Sequence, residues 1–202
     1  NGANIQGVDS GIAIKSGKFN ILDATVLATG EDTTPTVGYG DGINSSGAAI
    51  QMESNNGYPG DIDVSIKGGT FTSQNGVTIY EYIGNGVETQ LSDFEITGGT
   101  FNANKKVFAL SEKFKRKMGK FISGGTFNKE EVGPLLKAGY RLQRDGSVFK
   151  VQTVGLFSSG NSSDLEYEGK KKGVFLYIIF GLGIIFTLWF LNKKYKFLEK
   201  FF

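Results

Sequence analysis

VSIKGGTFT at residues 64–72, FEITGGTFN at 94–102 and KFISGGTFN at 120–128 render one nine-residue phrase three times, and IAIKSGKFN at 12–20 reads as a fourth copy. In each, apolar residues alternate along a short strand, a Gly-Gly or Ser-Gly corner follows, and a phenylalanine comes next but one after it. In the 64–72 copy Val64 and Ile66 share one strand face, as period-2 geometry requires. Gly68 and Gly69 permit a bend from one sheet into the next, and Phe71 then points inward from the new direction. Stacked unit on unit, Ile14, Ile66, Ile96 and Ile122 are expected to form one internal ladder, and Phe19, Phe71, Phe101 and Phe127 a second. The phenylalanines are separated by 71−19 = 52, 101−71 = 30 and 127−101 = 26 residues. Periods of this size mark solenoids, in which each unit buries its apolar face only against its neighbours.

A second apolar strand lies between copies, at 47–52, 76–80 and 106–110, and two or three strands per unit describe a parallel β-helix. The segment 28–44, rich in Gly, Thr and Asp, reads as an excursion loop from an irregular coil at 20–46. After Asn128 the pattern changes. One or two helical turns are expected over 129–136, then a hairpin whose strands 139–144 and 147–151 flank Asp145-Gly146. A solenoid needs a different last unit to cover its open apolar end, and this hairpin suits that role. The expected organisation is therefore β-helix coils over 1–128, a helix-and-hairpin cap over 129–153, a flexible Ser/Gly-containing stalk over 154–172, a transmembrane helix over 173–192 and a tail over 193–202.

The membrane segment rests on 173–191, GVFLYIIFGLGIIFTLWFL, which is uncharged and would span roughly 28 Å as a helix. Thirteen of its residues are Val, Ile, Leu or Phe. Together they contribute on the order of −4 to −8 kcal/mol to insertion. Lysines bracket it at 170–172 and at 193, 194 and 196, with Tyr177, Trp189 and Tyr195 near its ends. Lysines on both sides leave orientation open to charge counting. An N-terminal repeat domain before such an anchor fits an extracellular β-helix with a cytoplasmic C-terminus. With no signal-peptide pattern at Asn1 and no initiating methionine, the chain reads as a mature product or a fragment.

Charge is distributed unevenly: residues 1–104 carry three Lys against twelve Asp/Glu, a net −9, and residues 105–153 carry twelve Lys/Arg against four acids, a net +8. The absence of cysteine and histidine excludes disulfides, thiolate or imidazole metal sites, and Ser-His-Asp or Cys-His catalysis. The run KFKRKMGK at 113–120 reads as a turn packed through Phe114 and Met118 with its charges solvated, and no nucleic-acid fold signature accompanies it. Its charges also suit anionic polymers, lipid head groups, or the acidic half of a neighbouring molecule.

SIKGGTF, EITGGTF and FISGGTFNKEEVGPLLKAGYRLQRDGSVFKV, together with GDGINSSGAAIQMESNNGYPGDIDVSIKGGTF at 40–71, resemble the GGTF-type β-helix repeats of Gram-positive, gut-type bacterial surface proteins. The resemblance covers about residues 7–152 and implies a right-handed, pectate-lyase-like parallel β-helix on the cell surface. Such proteins are often labelled carbohydrate-binding or pectate-lyase-like. No LPxTG-like sorting signal precedes residue 173, so covalent attachment to the wall is not implied.

For chemistry, a pectate-lyase-like site resembles a calcium-binding carboxylate cluster beside a catalytic Arg or Lys. The three arginines, Arg116, Arg141 and Arg144, all fall in or beside the cap, away from the acidic coils. Glu53, Asp41, Asp61 and Asp63 are the carboxylates available for a glycosidase pair. The expected function is a non-catalytic, membrane-anchored structural or adhesive module that uses no cofactor or metal and binds no nucleic acid. The alternatives are a polysaccharide-binding module and, third, a polysaccharide-degrading enzyme. Candidate ligand-binding residues for surface or host glycans are Tyr39, Asp41, Tyr58, Tyr80 and Tyr82.

Overall fold

The computed structural model describes residues 2–31, 46–55, 57–84 and 88–155. The 173–192 span lies outside these, and among the described residues no helix is long and apolar enough to cross a membrane. The chain is mostly β, and its parallel strands fall into three sheets that are visited in rotation. A first round lays down β1 (Ala3–Gly7), β2 (Ser10–Ile14) and β3 (Gly17–Ile21), and a second β4 (Ala24–Ala28), β5 (Ala48–Ser54) and β6 (Ile62–Ile66). A third adds β7 (Thr70–Ser73), β8 (Ile79–Ile83) and β9 (Leu91–Ile96). The fourth is abbreviated: β10 (Thr100–Ala103) and β11 (Phe108–Ala109), then helix α1 (Glu112–Met118) and a lone bridge from Ile122 to Ile96 in place of a third strand. β12 (Thr126–Phe127), a 3-10 helix (Glu130–Leu135) and the antiparallel pair β13 (Tyr140–Asp145) and β14 (Val148–Thr153) finish the unit.

Register makes the core. Inward residues pair column by column: Ile5, Val26, Phe71, Phe101 and Phe127 in the first sheet, Ile12, Ile50, Ile79 and Phe108 in the second, and Ile21, Ile66, Ile96 and Ile122 in the third. Phe71, Phe101 and Phe127 are fully buried and stack face to face, with centroids 5.2 and 4.9 Å apart. Those separations follow the ~4.8 Å spacing of adjacent strands. A side chain repeated in register must stack upon itself.

The two glycines of the motif have different jobs. A Cβ at Gly98 would collide with the Lys67 carbonyl of the preceding unit, and one at Gly124 with that of Thr97, so the first glycine is required by backbone approach. The second adopts left-handed backbone, with φ of 102° at Gly69, 99° at Gly99 and 107° at Gly125. Between these corners the units are joined by Thr97 N–H to Ile66 O and Ser123 N–H to Ile96 O, both 2.8 Å.

The first copy of the motif is corrected. Ile14 pairs with Met52 in the second sheet, and Phe19 pairs with Val64 in the third, so neither joins its expected ladder. IAIKSGKFN straddles β2 and β3; the segment that occupies the motif's place is FNILDATVL at 19–27, with Phe19, Ile21 and Val26 matching Val64, Ile66 and Phe71. Inward spacing, which sets burial, is kept there, whereas the glycine pair is replaced by Asp23-Ala24.

The basic run is not a turn but a short helix. Ser111 accepts a hydrogen bond from the Phe114 N–H at 3.0 Å, an N-cap that satisfies one otherwise free donor. Phe114 is fully buried, edge-on to Phe94 and Phe121, while Lys115, Arg116 and Lys117 are exposed. At the other end β14 pairs antiparallel with β12, and Leu142 and Val151 pack on the core.

Phe101→Ala is expected to cost about 3–5 kcal/mol, because both neighbouring rings lose a stacking partner. Gly98→Ala should cost at least about 1–3 kcal/mol, whereas Gly119→Ala, with open space around its Cβ, should be limited to backbone strain. Urea midpoints at constant m-value measure both; equal losses at Gly98 and Gly119 would contradict the close-approach account.

Candidate functional site

Polar residues collect on the outer side of the second sheet. Alternation along β5 sends Ile50 and Met52 inward and Gln51 and Glu53 outward, yet Gln51 is 0% and Glu53 1% exposed. Gln51 Nε2 donates to Glu53 Oε1 at 2.6 Å, and the buried Ser46 hydroxyl donates to Gln51 Oε1. Lys15 Nζ, on the chain just past β2, stands 3.8 Å from Glu53 Oε2 and 4.6 Å from the centre of the Tyr58 ring. That places one cation between a buried carboxylate and an aromatic face, an arrangement that strengthens with desolvation.

Register brings the tyrosines alongside. Gln51 pairs with Tyr80 and Glu53 with Tyr82. Tyr80 and Tyr58 are half-buried, but Tyr82 is only 6% exposed and so offers no open ring for docking. Tyr58 is held by its N–H to Asn55 O at 3.1 Å, and its carbonyl accepts from Gln90 Nε2 at 3.2 Å. Among the described residues Glu53 Oε2 and Tyr82 OH are buried with no hydrogen-bond partner, which is costly for polar groups out of water. Tyr39 and Asp41 lie outside the described residues.

Three members of this group escaped the sequence reading: Lys15, Ser46 and Gln51. The available signal was polar residues at alternate positions of an otherwise apolar strand, AAIQMES. The other carboxylates go elsewhere. Asp63 accepts from Ser92 on the next strand of the third sheet, and Asp61 is exposed. Glu81 accepts the Ser111 N–H at 2.7 Å beneath α1. Among the described residues no group of three or more acids is placed to hold a metal ion. At its surface the group offers the half-buried Tyr58 ring and the Lys15 cation, while the Gln51 amide and the Glu53 carboxylate are buried beneath them.

Two exposed carboxyls titrate below their ordinary range: Glu112, through hydrogen bonding and charge from Lys115, and Asp145, through the same two effects from Lys150 at 2.5 Å. No family model, curated protein or solved structure matches this chain.

Glu53→Ala should destabilise the protein by about 1–3 kcal/mol by removing the carboxylate that accepts from the Gln51 amide and faces Lys15; an unchanged urea midpoint would contradict the buried network. For Asp145 the depressed carboxyl means its small, solvent-screened contribution is present above the ordinary Asp pKa and fades as pH falls through the folded value. Side-chain carboxyl NMR should show Asp145 titrating upward, toward the ordinary value, in Lys150→Ala; an unmoved midpoint would contradict the pairing.

Proposed function

We propose that this chain is a non-catalytic, membrane-anchored surface module built on a right-handed parallel β-helix of the GGTF-repeat kind, with a structural or adhesive role. Residues 173–192 serve as the anchor, with the β-helix extracellular and the C-terminus cytoplasmic. The observation that carries this reading is the register of the first sheet's inward column, kept from Val26 through Phe71 and Phe101 to Phe127. Such a stack is stiff along its axis and commits its repeated residues to packing, leaving outward faces free for contact.

A second reading, binding of polysaccharide, is favoured by the half-buried Tyr58 ring beside Lys15, with the half-buried Tyr80 on the outer side of the same sheet. Sugar rings present an apolar face to an aromatic side chain and hydroxyls to amides and carboxylates.

Protease treatment of intact cells is expected to release fragments from 1–154; survival of that region untouched, with cleavage only after permeabilisation, would contradict the topology. On a glycan array the structural reading predicts no binding that Tyr58→Ala or Tyr80→Ala abolishes. Loss of a specific glycan signal in those variants would establish the second reading, and calcium-dependent release of unsaturated uronides would overturn the non-catalytic assignment.

A further inference from the structure

The fourth round departs from its predecessors at one place: residues 111–120 turn aside into α1 before Ile122 rejoins the third-sheet column. The helix is firmly mounted. Phe114 is fully buried against Phe94 and Phe121, and the capping Ser111 donates its N–H to Glu81 Oε2 at 2.7 Å. Packing accounts for Phe114 but not for the charges around it. Lys115 pairs with Glu112 at 2.7 Å, whereas Lys113, Arg116 and Lys117 line one surface hollow of about 570 Å³ with Glu88 and Thr89. Lys113 stands three residues before Arg116 and four before Lys117, spacings at which like charges on a helix repel. The helix dipole favours cations in the last turn but does not require them to share a hollow with Lys113. Glu88 pairs with Lys113 and is the one acid lining the hollow, so its charge balance is 3−1 = +2. Among the described residues Arg116 and Lys117 make no ion pair.

We propose that this hollow binds a phosphate group, held by Arg116 and Lys117 with the Thr89 hydroxyl as a third donor. A phosphate monoester carries about −1.5 to −2 charges at pH 7, which matches the hollow's excess of positive charge. Arg116 supplies a planar fork that meets two phosphate oxygens at once, and Lys117 a point charge beside it. Thr89 Oγ1 accepts from the Leu91 N–H at 3.3 Å, so the hydroxyl proton is left to donate. A carboxylate brings a single charge and would leave part of the excess unmet. The phosphate belongs to a soluble ester or to a lipid head group, which present the same oxygens. Glu88 works against any anion in the hollow, and its removal is therefore as informative as removal of the cations.

The test uses the full-length, nitrogen-15-labelled chain in dodecyl maltoside micelles, titrated at constant ionic strength with glycerol 3-phosphate or with dihexanoyl phosphatidic acid. Saturable NMR shifts are expected at the Thr89 amide and the Arg116 Nε–H. Saturation by glycerol 3-phosphate assigns the site to soluble phosphate esters, and saturation by the phosphatidic acid alone assigns it to lipid head groups. Arg116→Gln combined with Lys117→Gln should raise the midpoint by about tenfold or more, with circular dichroism unchanged because both side chains are exposed. Lys106→Gln combined with Arg141→Gln removes the same charge elsewhere on the surface and should raise it by less than about twofold. Glu88→Gln should lower the midpoint several-fold. Neither probe requires residues 173–192 to cross a membrane, so the site and the anchor are tested separately. No saturable shift with either probe, equal weakening by the two double variants, or an unmoved midpoint in Glu88→Gln would overturn the proposal.

Discussion

The closeness of one unit to the next at the glycine corner governs this structure. Thr100 N–H reaches Gly69 O, and Thr126 N–H reaches Gly99 O, each at 2.8 Å, immediately beside the positions where a side chain would strike the neighbouring carbonyl. Once the corners sit at strand spacing, the residues that follow have no freedom of register. Phe71, Phe101 and Phe127 must then lie one above another, and their near-parallel rings, 18° and 9° apart in plane, are the result. Aromatic stacking of this kind adds about 0.5–1.5 kcal/mol per pair beyond burial. The corner is therefore a geometric requirement and the phenylalanine column an energetic one.

Function has to be sought on surfaces that the columns leave free, and these differ in character. The first sheet turns a row of threonines outward, Thr25, Thr70, Thr100 and Thr126 in one register, which ends at Lys150 of β14. Outward positions of the second sheet instead carry a buried polar network centred on Glu53, linked through Lys15 to the Tyr58 ring. A buried carboxylate whose second oxygen meets only the Lys15 ammonium at 3.8 Å is expensive, and its presence on a face that could have been alanine and threonine singles out that face. The basic residues of α1 are solvated around a buried Phe114, and two of them pair with nearby acids, Lys113 with Glu88 and Lys115 with Glu112.

Much of the architecture was legible where letters and geometry coincide. The copies at 64–72, 94–102 and 120–128 share both the glycine pair and the inward spacing, so their alignment was correct at Ile66, Ile96 and Ile122 and at the three phenylalanines. The copy at 12–20 shares the letters without the spacing. Its true counterpart, FNILDATVL, keeps inward residues but has lost the glycines, and no reading of identities would choose it. Asp145-Gly146 announced the hairpin, but the two-residue turn falls one residue later, at Gly146-Ser147, with Gly146 at φ 60° and Asp145 paired to Val148 at the end of β13. The candidate group was only half legible: Tyr58, Tyr80 and Tyr82 were named from the sequence, but alternation could not reveal that Tyr82 is covered or that Lys15 stands over the Tyr58 ring. The Lys15–Glu53 contact joins residues 53−15 = 38 apart, one just past β2 and the other on β5, strands whose pairing the sequence pattern left unstated.

The central claim is that units stack in register through the phenylalanine column and that Phe19 stands outside it. Ring-to-ring nuclear Overhauser effects on selectively labelled phenylalanine measure this directly. The account requires cross-peaks joining Phe71 to Phe101 and Phe101 to Phe127, and a contact from Phe19 to Val64 with none to Phe71. A cross-peak between Phe19 and Phe71, or the absence of one between Phe71 and Phe101, would contradict it.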